Sequence, residues 1–205
     1  MPRLKDATRL ERRRRIASAA MTCFAANGIG GTSMADIVRA SGLSSGAIYS
    51  HFDSKADLLR YVMSTMLEGR FTAVGAEPDG TPLLTPEALL ARLLDGPSAD
   101  RAQTSVLVQA WGEMARDGAL ASVAEENLAH LRALLVAALG PWAEDAAPED
   151  ADAAAALAGR TADWLITVTF GYATVLALRP TAEPDGMRTS LLDAARALGR
   201  GEQRR

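Results

Sequence analysis

Residues 31–55 read GTSMADIVRASGLSSGAIYSHFDSK, and this segment encodes two short helices separated by a sharp turn. Ser33 and Ser44 each stand where a hydroxyl side chain can cap the N-terminus of a helix. Gly42 lies between them, and glycine readily takes the left-handed conformation that ends a helix. A helix, a glycine turn and a second short helix make a helix-turn-helix, a motif that places its second helix in the major groove of DNA.

The second helix of this motif has an apolar side and a polar side. Ala47, Ile48 and Phe52 fall on the apolar side at helical spacing. The other side carries small, hydroxyl-bearing and imidazole side chains, namely Ser45, Gly46, Tyr49, Ser50 and His51. Such a surface makes a poor core and suits the approach to a major groove. The alternative for Tyr49 and His51 is a packed pair that supports Phe52.

Charge is distributed unevenly along the 205 residues. The net charge of −3 on its own argues against a nucleic-acid partner, but residues 1–60 carry ten Lys and Arg against five Asp and Glu. The first 60 residues therefore have a net charge of +5 and the rest a net charge of −8. A basic head on an acidic body is expected of a protein that presents one end to phosphate groups.

The composition favours an all-α fold. Apolar residues make up 48% of the chain and aromatic residues only 5%, so Ala, Leu and Val must fill most of the core. Helix start and stop signals predict nine helices: helix 1 at about 9–27, helix 2 from about 34, helix 3 after Ser44, helix 4 at about 55–74, helix 5 from Thr85 and Pro86, helix 6 from Gly96, Pro97 and Ser98 to Gly118, helix 7 to about Leu139, helix 8 at about 149–178, and helix 9 after Pro184, Asp185 and Gly186.

Local signals also predict the caps and loops between these helices. A hydroxyl three residues before a carboxylate predicts capping boxes at Thr8–Glu11, Ser33–Asp36 and Ser54–Asp57. Proline and glycine predict loops around residues 78–80 and over residues 140–148.

Four consecutive arginines, Arg12 to Arg15, lie near the start of helix 1, with Arg3, Lys5 and Arg9 before them. They cannot share one helix face, because successive residues are rotated by about 100°. Two interpretations stay open, a solvated basic cap and an arm that contacts phosphates or the minor groove of DNA.

The N-terminal residues resemble a signal peptide only superficially. An apolar run follows the arginines, but Ser18 and Thr22 dilute it, and Asp6 and Glu11 lie in what should be a purely positive region. The single cysteine, Cys23, excludes an internal disulfide and suggests a reducing compartment. We expect a cytoplasmic protein in which Cys23 is a small buried residue, a redox-sensing thiol being the alternative.

The order of residues from Thr32 to Leu58 resembles the DNA-binding domain of TetR/AcrR-type transcriptional regulators. The pattern of that family runs roughly T-[ST]-x-x-x-I-A-x-x-x-G-[VL]-S-x-G-x-[LI]-Y-x-[HY]-F-x-[SN]-K-x-x-L, and nearly every fixed position is matched. Val38 is a departure, since the family usually has alanine there. The specific likeness covers roughly residues 9–70, and the later residues share only the nine-helix layout, with weak local likeness at residues 111–117.

The resemblance implies DNA contacts from the start of helix 2 and from the recognition helix. Carried over to this sequence, the contacting residues are Thr32, Ser33, Ser44, Ser45, Gly46, Ala47, Tyr49, Ser50, His51 and Lys55. Hydroxyl groups and N–H groups at helix N-termini suit phosphate oxygens. Because the recognition helix has no arginine for guanine, we expect readout partly by methyl contacts through Ala47 and partly by DNA shape.

The C-terminal part has an apolar helix that needs partners. Helix 8 is apolar on all sides from Trp164 to Leu178, a run that is too short and too rich in threonine to span a bilayer. One chain offers few neighbours for such a helix, so a second subunit is expected to cover it. The resemblance implies a homodimer in which helices 8 and 9 of two copies pack as a four-helix bundle.

Aromatic and polar residues of the C-terminal part form a candidate effector pocket: Gln109, Trp111, Glu113, Met114, His130, Trp164, Thr167, Phe170 and Tyr172. The alternative is an ordinary core of aromatic and methionine side chains. The indoles of Trp111 and Trp164 favour an apolar or aromatic effector.

These expectations combine into a ligand-responsive regulator, most simply a repressor that a small molecule releases from a palindromic operator in double-stranded DNA. Residues 9–70 would form the DNA-binding domain and residues 71–205 the effector-binding and dimerisation domain. No cofactor, metal site or membrane contact is predicted, since His130 is the only histidine besides His51 and no catalytic pair is evident. The rivals are a helical enzyme and a scaffold whose helix-turn-helix is vestigial.

Overall fold

The computed structural model describes residues 2–75, 84–116, 118–179, 181 and 183–201. Over these ranges the chain forms nine α-helices: α1 (Pro2–Gly31), α2 (Met34–Ser41), α3 (Ser45–Tyr49), α4 (Lys55–Gly75), α5 (Pro86–Ala99), α6 (Arg101–Met114), α7 (Gly118–Ala146), α8 (Ala151–Leu178) and α9 (Pro184–Gly201). The predicted all-α class and helix order are confirmed. The loop predicted around residues 78–80 lies outside the described residues.

The helices group into two compact units. The first comprises Met1–Met66 together with Ser105–Val123, and the second comprises Leu67–Thr104 together with Ala124–Arg205. Most of α6 therefore packs with the N-terminal helices, although the sequence placed it in the C-terminal domain. The functional division near residue 70 stays a prediction.

The core of the first unit is built by α1, α2, α3, α4 and the part of α6 from Ser105 onward. The largest side chains buried in it are Ile16, Phe24, Ile37, Ile48, Phe52, Leu58 and Leu107. Ile16, Ala20 and Phe24 repeat every four residues, so they follow one face of α1 and fix it to the shorter helices. Cys23 is buried beside this face, as expected for a small apolar residue, and burial raises the pKa of its thiol.

Helix α1 begins earlier than the sequence predicted, but its helical path breaks where the sequence predicted that it would end. It begins at Pro2, so Thr8 lies inside the helix and the predicted Thr8–Glu11 capping box is wrong. Proline suits the first turn of a helix because its missing N–H would have no partner there. Gly28 has φ 74° and ψ 162°, which breaks α1 at the predicted residue.

Two prolines lie inside helices where the sequence predicted boundaries. Pro97 belongs to α5, which continues to Ala99, and the carboxylate of Asp100 then caps α6 by accepting from Gln103 N at 2.9 Å. Pro141 belongs to α7, which continues to Ala146. The predicted opening of helix 6 at Gly96 and the predicted loop at residues 140–148 are therefore wrong. Trp142 and Ala143 are buried after Pro141, and such packing outweighs the local preference of proline.

The second unit packs α5, α7, α8 and α9 around a core of leucine and alanine, as the composition predicted. Its buried side chains include Leu89, Leu90, Leu94, Leu135, Leu139, Ala162, Leu165 and Tyr172. Arg188 and Arg196 of α9 pair with Asp95 and Glu87 of α5 at the surface. Exposed pairs of this kind fix register more than they add stability.

Helix α8 is buried along one broad side and exposed along the other. Eleven of its residues are buried in the second unit, whereas Asp163, Thr167, Gly171 and Leu178 are exposed. By length and composition alone α8, a helix of 28 residues, could cross a membrane, which the shorter run from Trp164 to Leu178 did not indicate. Its buried side packs in a helical core, and Asp163 pairs with Arg132 of α7. These contacts are those of a core helix.

Candidate nucleic-acid interface

The N-terminus of α2 is fixed by the predicted capping box. Ser33 Oγ accepts from Asp36 N at 3.2 Å, and Ser33 N donates to Asp36 Oδ2 at 2.9 Å. The hydrogen bond from the Ser33 hydroxyl, followed by that from the Ser33 N–H, lowers the pKa of the Asp36 carboxyl. The carboxylate therefore stays charged near neutral pH, and the start of α2 is rigid.

The turn between α2 and α3 is closed by a glycine and an arginine. Gly42 has φ 65° and ψ 19°, the left-handed conformation predicted for it. Arg15 of α1 donates from Nε and Nη2 to the carbonyl oxygen of Ser41, at 3.1 and 2.9 Å. A cation at the C-terminus of α2 satisfies a carbonyl that the helix leaves unpaired.

Helix α3 presents the predicted side to solvent. Ser44 caps it by accepting from Ala47 N at 3.2 Å, and Ile48 and Phe52 face the core. The exposed residues are Ser45, Gly46, Tyr49 and Ser50. The Tyr49 side chain is 49% exposed, which opposes its interpretation as a packed support for Phe52. The helix is short, as predicted, and covers five residues, because Ser50 already ends it.

His51 lies next to the exposed arginines of α1. Its Nδ1 is buried and has no hydrogen-bond partner among the described residues. Burial, and then the nearby charges of Arg9, Arg12 and Arg13, lower the pKa of the His51 imidazole. The ring is therefore neutral at neutral pH, beside a surface that carries the positive charge of Arg9 and Arg12.

The four consecutive arginines separate into two functions, as their spacing on a helix requires. Arg13 packs over the rings of Phe52 and Tyr61, and Arg15 caps α2. Arg12 and Arg14 are exposed. The sequence predicted that the four arginines point in different directions around the helix. It did not indicate which of them contact the rest of the protein.

Thr32 and Lys55 have intramolecular partners that the sequence did not reveal. The Thr32 side chain is 2% exposed, and its hydroxyl lies 2.7 Å from Gly28 O and 3.1 Å from Cys23 O. Lys55 Nζ donates to Ile29 O at 2.9 Å and to Thr32 O at 3.0 Å. Both side chains hold the turn between α1 and α2, and DNA contact by them stays a prediction.

The nine candidate pocket residues are divided between the two compact units. Gln109, Trp111, Glu113 and Met114 belong to the first unit, and His130, Trp164, Thr167, Phe170 and Tyr172 belong to the second. Gln109 Oε1 accepts from Ile29 N at 3.2 Å, next to the helix-turn-helix. Tyr172 is buried in the second core, whereas Thr167 and His130 are exposed. Among the residues that the structure describes, no cluster of His, Cys, Asp or Glu could hold a metal ion.

A capped helix-turn-helix with an exposed polar recognition helix, on a head of positive charge, defines a DNA-binding regulator. The family described as bacterial regulatory proteins of the tetR family matches residues 16–62, which contain every contact of this motif except those from Arg13, Arg15 and Gln109. Residues 16–62 therefore form the DNA-binding domain of a TetR-family transcriptional regulator. Members of this family regulate transcription and are not enzymes.

Solved structures of other proteins resemble about nine tenths of the chain. GusR from Salmonella enterica is 28% identical, with 93% of this chain and 96% of that chain covered and a TM-score of 0.71. A transcriptional regulator from Rhodococcus is 21% identical, with coverage of 92% and 96% and a TM-score of 0.72. A regulator from Saccharomonospora viridis, solved in complex with choline, is also 21% identical, with coverage of 89% and 94% and a TM-score of 0.68. No curated protein sequence matches significantly.

Proposed function

We propose that this chain is a cytoplasmic repressor that binds a palindromic operator and is released from it by a small molecule. The proposal that the chain binds DNA rests on the exposed polar side of α3, with Tyr49 at its centre. Both ends of this helix are fixed by capping residues. A rigid helix with solvent-facing hydroxyl and phenol groups has no role in the core of the chain. It has the shape and chemistry to enter a major groove.

The proposed DNA contacts fall into two groups. Ser33 and Ser44 offer hydroxyls and helix N-terminal N–H groups to phosphates, and Arg9 and Arg12 add positive charge near His51. Base edges would be reached by the exposed residues of α3 and by the methyl group of Ala47. Thr32 and Lys55 would act chiefly through the turn that their side chains hold.

We further propose a homodimer through α8 and α9. The exposed line of α8 runs through Thr167 and Gly171 to Leu178, which is 73% exposed, and Leu198 of α9 is 40% exposed. Apolar side chains left in solvent along two helices suit burial against a second copy. Twofold symmetry would place two recognition helices on half-sites about one turn of DNA apart, which is why a palindrome is expected.

The effector is proposed to be a small apolar or aromatic molecule. Trp164 is half-buried in the second unit and offers a flat face for such a ligand. The regulator from Saccharomonospora viridis was solved with choline, and aromatic faces also attract organic cations of that kind. If ligand and operator favour different arrangements of the dimer, each must weaken the binding of the other by the same factor.

Selection of bound duplexes from a random pool tests this function. The wild-type chain should enrich an inverted repeat, and its affinity should fall steeply with salt, since each phosphate contact releases about 0.9 of a counterion. Compounds found by quenching of tryptophan fluorescence should then release that duplex. A chain whose helix-turn-helix is vestigial would enrich no sequence. Ligands that bind tightly but leave operator affinity unchanged would contradict the proposal that a small molecule releases the operator.

A further inference from the structure

Gln109 contacts the turn that joins α1 to α2, although its sequence pattern suggested a pocket residue. Its side-chain oxygen Oε1 accepts a hydrogen bond from the N–H of Ile29 at 3.2 Å. Gly28 directly before has a positive φ of 74° and ends the helical path of α1. The donor is thus the first peptide N–H after the break, and its acceptor comes from 80 residues further along the chain.

Glycine at position 28 also makes room for this contact. A Cβ added at Gly28 would lie 3.1 Å from Gln109 Oε1, which is closer than most side-chain neighbours approach. Within the described part of the chain, the amide nitrogen of Gln109 makes a long contact of 3.4 Å to Ser105 Oγ. The accepting oxygen is therefore the part of this side chain that the fold uses.

The same turn is held on its other side by α4. Lys55 Nζ donates to the carbonyl oxygens of Ile29 and Thr32 at 2.9 and 3.0 Å. Ile29 consequently has its N–H bonded to α6 and its carbonyl bonded to α4. The side chain of Ile29 is buried, so the peptide groups on both sides of it are fixed in one arrangement.

This turn leads directly into the proposed DNA-binding surface. Ser33 follows Thr32 and caps α2, and α3 follows α2 after the single turn at Gly42. Contacts to DNA require their donors to be placed within about 0.5 Å, and such placement depends on the groups behind them. A residue that fixes the turn therefore fixes the start of α2 without touching DNA.

We propose that Gln109 is a positioning residue for DNA binding, which acts by holding the N–H of Ile29 and with it the turn before α2. This role rests on the DNA-binding function proposed above. In this proposal α6 helps to position the helix-turn-helix, although α6 lies far from that motif in the sequence.

The test compares Gln109→Met with wild type on the duplex that the wild-type chain selects from a random pool. Methionine keeps the length of the side chain and removes the acceptor. We expect operator binding to weaken about two- to tenfold, the effect of one typical hydrogen bond. The dependence on salt should keep its slope because no phosphate contact is lost. Amide exchange at Ile29 should become faster in the free protein while the melting temperature stays close to wild type.

Two further variants separate positioning from a general effect on α6. Gln109→Glu keeps an accepting oxygen and should restore slow exchange at Ile29, and Ser105→Ala should leave both exchange and affinity unchanged. Equal operator affinity in Gln109→Met, or weaker affinity with unchanged exchange at Ile29, would overturn the role of Gln109 alone. A wild-type chain that selects no duplex would overturn the DNA-binding function and this role together.

Discussion

The guanidinium carbon of Arg13 lies 4.7 Å from the centre of the Phe52 ring. The same carbon is 4.4 Å from the centre of the Tyr61 ring, and the two ring centres are 5.3 Å apart. One arginine of α1 therefore contacts both Phe52, three residues after the end of α3, and Tyr61 of α4. A cation over aromatic rings is attracted by their negative faces, so Arg13 helps to fix the orientation of the recognition helix.

Arg13→Met should therefore destabilise the protein, by about 1–2 kcal/mol in the free energy of unfolding. The matched control is Arg14→Met, which changes the neighbouring arginine on the exposed side and should stay within about 0.5 kcal/mol of wild type. Urea unfolding of the three proteins measures this. Equal stability of the two variants would contradict the packing role of Arg13.

Tyr49→Ala should weaken operator binding at least about tenfold, which is about 1.4 kcal/mol, with little change in melting temperature. The reason is that half of the Tyr49 side chain is in solvent and contributes little to the core. Fluorescence anisotropy with the selected duplex gives the affinity. Tyr49→Phe separates the hydroxyl from the ring. Unchanged affinity in both variants would show that the side chain of Tyr49 does not contact DNA.

Lys55→Met should behave differently from Tyr49→Ala, because its ammonium bonds two carbonyl oxygens of the turn before α2. We expect a loss of about 1–2 kcal/mol in stability together with weaker operator binding. The sequence alone predicted a change in binding only. Thermal unfolding measures the stability of the variant, and fluorescence anisotropy on the same preparation measures its operator affinity. A Lys55→Met variant with wild-type stability and weaker binding would indicate that Lys55 acts only by contacting DNA.

The features predicted correctly from sequence are those that neighbouring residues determine. Ser33 and Ser44 cap the helices that follow them, and Gly42 takes the left-handed conformation, because each effect acts over a few positions. The exposed side of α3 followed from helical periodicity in the same way. The part of the site that depends on local chemistry can therefore be predicted from the sequence alone.

The features that were missed depend on residues far apart in the chain. Arg15 bonds Ser41 across 26 positions and Gln109 bonds Ile29 across 80, and no spacing rule indicates such pairs. Helix α7 passes through Pro141 for a related reason, since burial of the following residues in the core outweighs a local signal. Tertiary packing decided each of these cases.

Acid should destabilise the protein through His51. Its pKa is lowered in the folded chain, first by burial and then by Arg9, Arg12 and Arg13, so the folded state binds fewer protons than the unfolded state. The stability gained is present above the ordinary pKa of about 6.5 and is lost as the pH falls through the lowered value. His51→Gln should thus lose less stability than wild type between about pH 7.5 and 5. Parallel pH profiles of the two proteins would contradict this assignment.

The exposed line of α8 allows a cleaner test of assembly than its buried residues do. Ala173 is completely buried within one chain, so an arginine there would disrupt the core whatever the oligomeric state. Gly171 is exposed, and a Cβ added to it meets no atom of the described residues within 4 Å. A charged side chain at Gly171 is therefore compatible with the fold of a single chain.

Gly171→Arg should convert a dimer into a folded monomer and reduce operator binding, because an arginine at the centre of a close helix contact would be desolvated without a partner. The matched control is Ala133→Arg, at an exposed position of α7 outside the proposed interface, which should remain dimeric. Sedimentation at micromolar concentration gives the oligomeric state, and anisotropy gives the affinity. A wild-type chain that sediments as a monomer, or a Gly171→Arg variant that stays dimeric, would rule out assembly through this line of α8.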